Sequence, residues 1–133
     1  MGTLSERIEN AENYYVPAIG YLETTKYLYV SPERQRVGMI LSFLPMNLIL
    51  GFSVELYLKS WLAYCGYSKS ILRSREYGHD LSRLYQECCL NGMPTSHNRD
   101  FLVSFYAEPH RNFEYRYFEK QNNVKYFDLI ELI

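Results

Sequence analysis

Apolar residues recur along this chain at helical spacing. Leu4, Ile8, Ala11, Tyr15, Ala18 and Leu22 fall every three or four positions, the spacing of one helix face. Just ahead of most of them, Thr3-Leu4-Ser5-Glu6 has the T-x-x-E form of a capping box, in which two side chains satisfy the first unpaired backbone N–H groups. Pro17 lies inside the run and is expected to kink or divide the helix, because it lacks an N–H and its ring crowds the preceding turn. Ser31-Pro32-Glu33 reads as a turn or a new helix start. A second helix is predicted from about Pro45 to Tyr64. Leu48, Leu50, Phe52, Val54, Leu56, Leu58, Trp61 and Leu62 cover most of its circumference, the pattern of a central helix. One slanted row differs: Asn47, Gly51, Glu55 and Lys59 lie four apart and are neighbours along the helix. Gly66 is its expected stop.

A loop carrying Lys69, Arg73 and Arg75 should follow. A third helix is predicted over His79 to Leu90, where Leu81, Leu84, Tyr85 and Cys88 repeat at helical spacing, Asp80 suits the N-cap and Asn91-Gly92 suits the stop. A fourth starts near Thr95 or Ser96, carries Phe101, Leu102, Phe105 and Tyr106, is interrupted at Pro109 and resumes as HRNFEYRYFEK. Gln121-Asn122-Asn123 breaks the chain again, and the run from Val124 to Ile133 is too short for periodicity to separate strand from helix. That run is apolar to its last residue, so a further element is expected beyond it. Strand-like alternation bounded by hairpin turns is absent. The fold class expected is all-α, a bundle of four or five helices in one domain over residues 1–133.

Composition narrows the function classes. Forty-seven per cent of the residues are hydrophobic, enough for a core, while fourteen Lys and Arg against fifteen Asp and Glu leave a net charge of -1. That excludes a polycation that binds nucleic acid by bulk charge, though not a local basic patch. Fourteen Tyr, seven Phe and one Trp make the chain 17% aromatic, which suits cores and interfaces alike. Cys65, Cys88 and Cys89 are odd in number and form no CxxC pair, so a disulfide framework is not expected and a reducing cytoplasm is the simpler setting. With His79, His97 and His110 they offer no short paired ligand spacing for zinc, and neither metal nor cofactor is expected. The first fifteen residues lack the basic start and apolar stretch of a signal peptide. Met39 to Val54 is apolar for about sixteen residues, short of the roughly 20 needed to span a bilayer and broken by Ser42, Pro45, Asn47 and Ser53; a buried helix and no membrane contact are expected.

The residues that can carry chemistry are few. A carboxylate among apolar neighbours is costly to bury alone, and Lys59 stands at i+4 from Glu55 in the favourable order for an ion pair. That pair can be structural, or it can hold a polar site together with Gly78-His79-Asp80-Leu81, a helix start whose free N–H groups suit an anion. His79 can exchange protons near neutral pH, or simply cap or pack. Near the end, His110, Arg111, Phe113, Tyr115, Arg116, Tyr117, Phe118 and Lys120 interleave cations with aromatics, a pattern that stacks bases and holds phosphates of a single strand, or that forms core.

In order, GFSVELYLKSWL, GYSKSILRSREYGHDLSRLY and RNFEYRYF give an apolar-E-x-x-x-K helix, a loop, G-H-D-L-x-x-L and an Arg-rich helix. From about Pro45 to Lys120 this resembles the HEPN superfamily, the helical domains named for higher eukaryotes and prokaryotes nucleotide-binding. The resemblance implies a bundle of four or five helices, often a homodimer, and a metal-independent ribonuclease of a toxin–antitoxin, phage-defence or CRISPR system. The family motif is Arg, a polar residue, three to five others, then His. Arg111-Asn112 begins it here, but Arg116 stands where the His is expected. Arginine stays charged and cannot act as a general base, although it can hold a phosphate through two hydrogen bonds. The catalytic set implied is Arg111, Asn112 and Arg116, with His110 able to replace the missing His in space. Glu55, Lys59, His79 and Asp80 are the implied polar or substrate-binding set. RNA or a nucleotide, a second copy of the chain, and an antitoxin or nucleotidyltransferase-like protein are the partners this implies. The alternative is a non-catalytic helical module that pairs through its Tyr-rich surface.

Overall fold

A computed structural model of the chain describes residues 2–34 and 39–112. The architecture is all-α, a bundle of five helices among the described residues. These are α1 (Leu4–Val30), α2 (Met39–Tyr64), α3 (Lys69–Leu72), α4 (Leu81–Leu90) and α5 (His97–Arg111).

Local chemistry sets most helix ends. Thr3 caps α1, its hydroxyl accepting from the Glu6 N–H at 3.2 Å. Ser68, Asp80 and Ser96 cap α3, α4 and α5 in the same way, each accepting from the N–H three residues on. At the end of α2 the N–H groups of Gly66 and Tyr67 reach back to the carbonyls of Ala63 and Leu62. This is a Schellman closure, and it needs a residue at positive φ; Gly66 has φ of 102°.

Four sequence expectations are corrected. Pro17 does not divide α1, and Pro109 does not interrupt α5; both lie inside continuous helices. A proline in a helix interior costs about 3 kcal/mol, and tertiary packing next to each one offsets it. Ala18 is fully buried and its carbonyl accepts from Ser53 Oγ at 2.8 Å, while Pro109 and His110 are themselves buried. The expected loop after Gly66 contains a single helical turn, α3, too short to show periodicity. α2 also begins earlier than Pro45, which lies within it.

α2 is the central helix. α1 lies antiparallel along it, as the pairs Arg7 Nη1 to Tyr64 O and Ser53 Oγ to Ala18 O show. α4 and α5 form an antiparallel hairpin against it. The core runs through Met46, Leu50, Val54, Leu58 and Leu62 of α2, with Leu72, Leu81, Leu84, Cys88, Val103 and Tyr106 packed around them. No helix among the described residues is long and apolar enough to cross a membrane.

Candidate functional site

The slanted row read from the sequence is buried along its length, with Asn47, Gly51, Glu55 and Lys59 all facing inward. Each position meets a particular partner. Asn47 Oδ1 accepts from the buried Tyr106 hydroxyl, and its Nδ2 donates to Phe43 O at 2.7 Å. Gly51 faces the His110 ring. Lys59 Nζ donates to Glu55 Oε2 at 3.1 Å. The other carboxylate oxygen, Glu55 Oε1, contacts two imidazoles: His79 Nδ1 at 2.6 Å and His110 Nε2 at 2.8 Å. Phe52 stands edge-on to both rings, at centroid distances of 5.9 and 4.9 Å.

Electrostatics assigns the donors. Burial by itself would raise the Glu55 carboxyl. The hydrogen bond from His110, the Lys59 charge, and the hydrogen bond and charge of His79 outweigh it and hold Glu55 down at about 2. An ionised carboxylate only accepts hydrogen bonds. His79 Nδ1 and His110 Nε2 therefore both carry the hydrogen in these contacts. His110 is buried, and its second nitrogen, Nδ1, has no hydrogen-bond partner among the described residues. His79 differs, for its side chain is 42% exposed. The arrangement is an anion buried at the centre, a buried ammonium on one oxygen, and two imidazoles on the other, one of which reaches the surface.

The same donor atoms test the fit of a metal. One carboxylate oxygen and two ring nitrogens lie within 4.8 Å of one another, a set of two histidines and one carboxylate. Two features oppose a cation there. The Lys59 ammonium already occupies Oε2, and Nδ1 of His110 lacks, among the described residues, the outer hydrogen-bond partner that a ligating imidazole almost always has. The distances are those of hydrogen bonds, not of ligands spread around an ion.

The remaining predicted residues fall as follows. Asp80 caps α4, with Oδ1 accepting from the Arg83 N–H at 3.1 Å. Arg111, exposed at the end of α5, shares a cleft with Asp80, Ser82, Arg83, Gln86 and Glu108. Arg83 is committed there, joined to Glu76 and, at 3.0 Å, to Glu87. Asn112 is exposed and forms the C-cap of α5 through its backbone N–H. His110, expected in a catalytic set, is enclosed by protein and turned toward Glu55. Arg116 and the aromatic–cationic run from Phe113 to Lys120 lie outside the described residues. His97 begins α5 and takes no part in the cluster. Sequence reading missed Tyr106 and Phe52 as partners of the polar row. The signal was there in part, since Tyr106 and His110 are also four apart and so share a face of α5.

A second cleft is lined by Tyr15, Tyr57, Trp61, Tyr85, Met93 and Leu102 among others, and the described residues bring neither a histidine nor a carboxylate to it. No protein-family model matches the chain, and comparison with curated proteins and with solved structures returns no match. The fold and the site define an all-α bundle with a buried carboxylate–imidazole cluster that opens to the surface through His79.

Proposed function

We propose that this chain is a HEPN-like domain that binds RNA and cleaves it without a metal ion. The observation that carries the reading is the half-exposed His79 held by the buried, ionised Glu55 at 2.6 Å. A carboxylate that fixes Nδ1–H leaves the lone pair of a neutral imidazole on Nε2, the form a general base requires. Each imidazole also adjoins, along the chain, a residue of one cleft: Asp80 follows His79, and Arg111 follows His110. Arg111 supplies the positive charge for a phosphate. The reaction this supports starts with proton transfer from a ribose 2′-hydroxyl to His79 Nε2. The freed oxygen attacks the adjacent phosphorus, the 5′-oxygen leaves and takes a proton from water, and a 2′,3′-cyclic phosphate remains. His79 thereby takes the role that the resemblance assigns to the motif His, and His110 serves from behind.

The test is incubation of labelled single-stranded RNA with the protein in EDTA. Cleavage should persist under chelation and fall about 100-fold or more in His79→Ala, the usual reach of a positioned base. Binding without cleavage would overturn the nuclease and leave an RNA-binding module. Absence of both would overturn the whole reading. The alternative, a pairing module, draws on α1, where Leu4, Ile8 and Tyr15 are 54%, 42% and 46% exposed along one face. A homodimer in solution by light scattering, lost in Leu4→Glu with Ile8→Glu, would support it.

A further inference from the structure

His110 is the one buried imidazole of the cluster, and its surroundings are narrowly defined. A Cβ built at Gly51 would stand 2.6 Å from His110 Nδ1, 3.2 Å from Cγ and 3.3 Å from Cε1. The first distance is shorter than real Cβ contacts essentially ever are, and the Phe52 ring packs at a steep angle to the imidazole, 4.9 Å between centroids. Glycine at 51 is therefore the condition for the ring to lie where it does. What the ring does there follows from Glu55. The carboxylate is drawn two ways, by the Lys59 ammonium on Oε2 and by two imidazole N–H groups on Oε1. Lys59 at i+4 on the same helix can take both oxygens if nothing holds Oε1. His79 alone is a weak restraint, because it is half in solvent and enters from a loop. His110 Nε2, buried on α5, is the fixed donor that keeps Oε1 turned toward His79.

We infer that His110 is a positioning residue: seated in a slot that only Gly51 leaves open, it holds Glu55 Oε1 against Lys59 and so fixes His79 with its hydrogen on Nδ1. The groups facing the carboxylate are Lys59 from α2, His79 from the loop before α4 and His110 from α5. This deepens the nuclease reading and rests on it for its catalytic consequence, but not for its structural one.

Nitrogen NMR of 15N-histidine-labelled full-length protein separates the two, because it reads the His79 tautomer without RNA. In the wild type His79 should carry its hydrogen on Nδ1. In His110→Phe, which keeps the ring volume and removes the donor, and in Gly51→Ala, His79 should pass to the Nε2–H form that free histidine favours. His110→Gln, whose side-chain amide can donate in place of Nε2–H, should restore Nδ1–H. RNA cleavage should fall tenfold or more in kcat with KM within twofold in the first two variants and recover in the third, as expected when a base is misplaced while substrate binding is kept. His79 remaining in the Nδ1–H form in His110→Phe would overturn the inference. That variant decides the matter if Gly51→Ala fails to fold. An Nδ1–H form that depends on His110 in a protein with no RNA cleavage would uphold the positioning and overturn the nuclease.

Discussion

Glu55 gathers three hydrogen-bond donors inside the protein, so the consequences of removing its charge fall on its partners. Glu55→Gln leaves the Lys59 ammonium buried without its anion and should cost about 3–5 kcal/mol, read as a lower urea midpoint at unchanged m-value. Acid should act on the same group. Its folded value of about 2 lies below the ordinary 4.5. The carboxylate thus contributes stability in full above about pH 4.5, and that contribution is lost as pH falls through 2; it is of the order of 3 kcal/mol. Unfolding followed between pH 5 and 2 should show this loss in the wild type and a flatter profile in Glu55→Gln. Tyr106→Phe removes the donor to the buried Asn47 Oδ1 and should cost about 1–3 kcal/mol. At this scale the sequence marked Asn47, Gly51, Glu55 and Lys59 as one row, because four-residue spacing is a property of any α-helix. It did not show that His79 and His110 meet on the same oxygen of Glu55, since they are 24 and 55 residues distant from it in sequence.

Among the elements, α4 presents the site to solvent through the loop that enters it, and Asp80 caps that helix next to His79. Asp80→Ala removes the side-chain acceptor for the Arg83 N–H and should destabilise the protein by about 1 kcal/mol, measured by thermal unfolding. His79, adjacent to that cap, should show faster backbone amide exchange in the variant. Caps were legible in the sequence at Thr3 and Asp80, and the start of α5 was narrowed to Thr95 or Ser96, because capping is local chemistry, settled within three residues. The continuity of α1 through Pro17 and of α5 through Pro109 was not legible. The penalty of a helical proline is local, whereas the burial of Ala18 and His110 beside those prolines comes from helices distant in sequence. The buried face of α1 was legible in part, since Ala11, Ala18 and Leu22 of the predicted row pack toward the core. Thr25, outside that row, is buried as well, while Leu4, Ile8 and Tyr15 of the same row are exposed at the surface.

Taken whole, the molecule wraps one helix with the others, and what lies at its centre should respond only when the bundle opens. Cys88 is buried, its thiol pushed up to about 12 by burial first and by neighbouring Cys89, Cys65 and Glu87 next. Under native conditions a thiol reagent should label Cys89 and Cys65 before Cys88, whose modification should follow the rate of unfolding. Electrostatics at the surface belongs to the same scale. If Arg111 contacts a phosphate, Arg111→Ala should lower the slope of log affinity against log salt by about 0.7 for single-stranded RNA. An unchanged slope would remove Arg111 from the interface. By itself the sequence determined the all-helical class, the central position of α2, the caps at Thr3 and Asp80 and the polar row, because periodicity and capping act over one to four residues. Only the tertiary structure decided that the row closes on His79 and His110, that one imidazole is enclosed while the other reaches solvent, and that Gly51 leaves room for the enclosed ring. Those outcomes depend on where separate helices cross, and the spacing along a single helix carries no record of that.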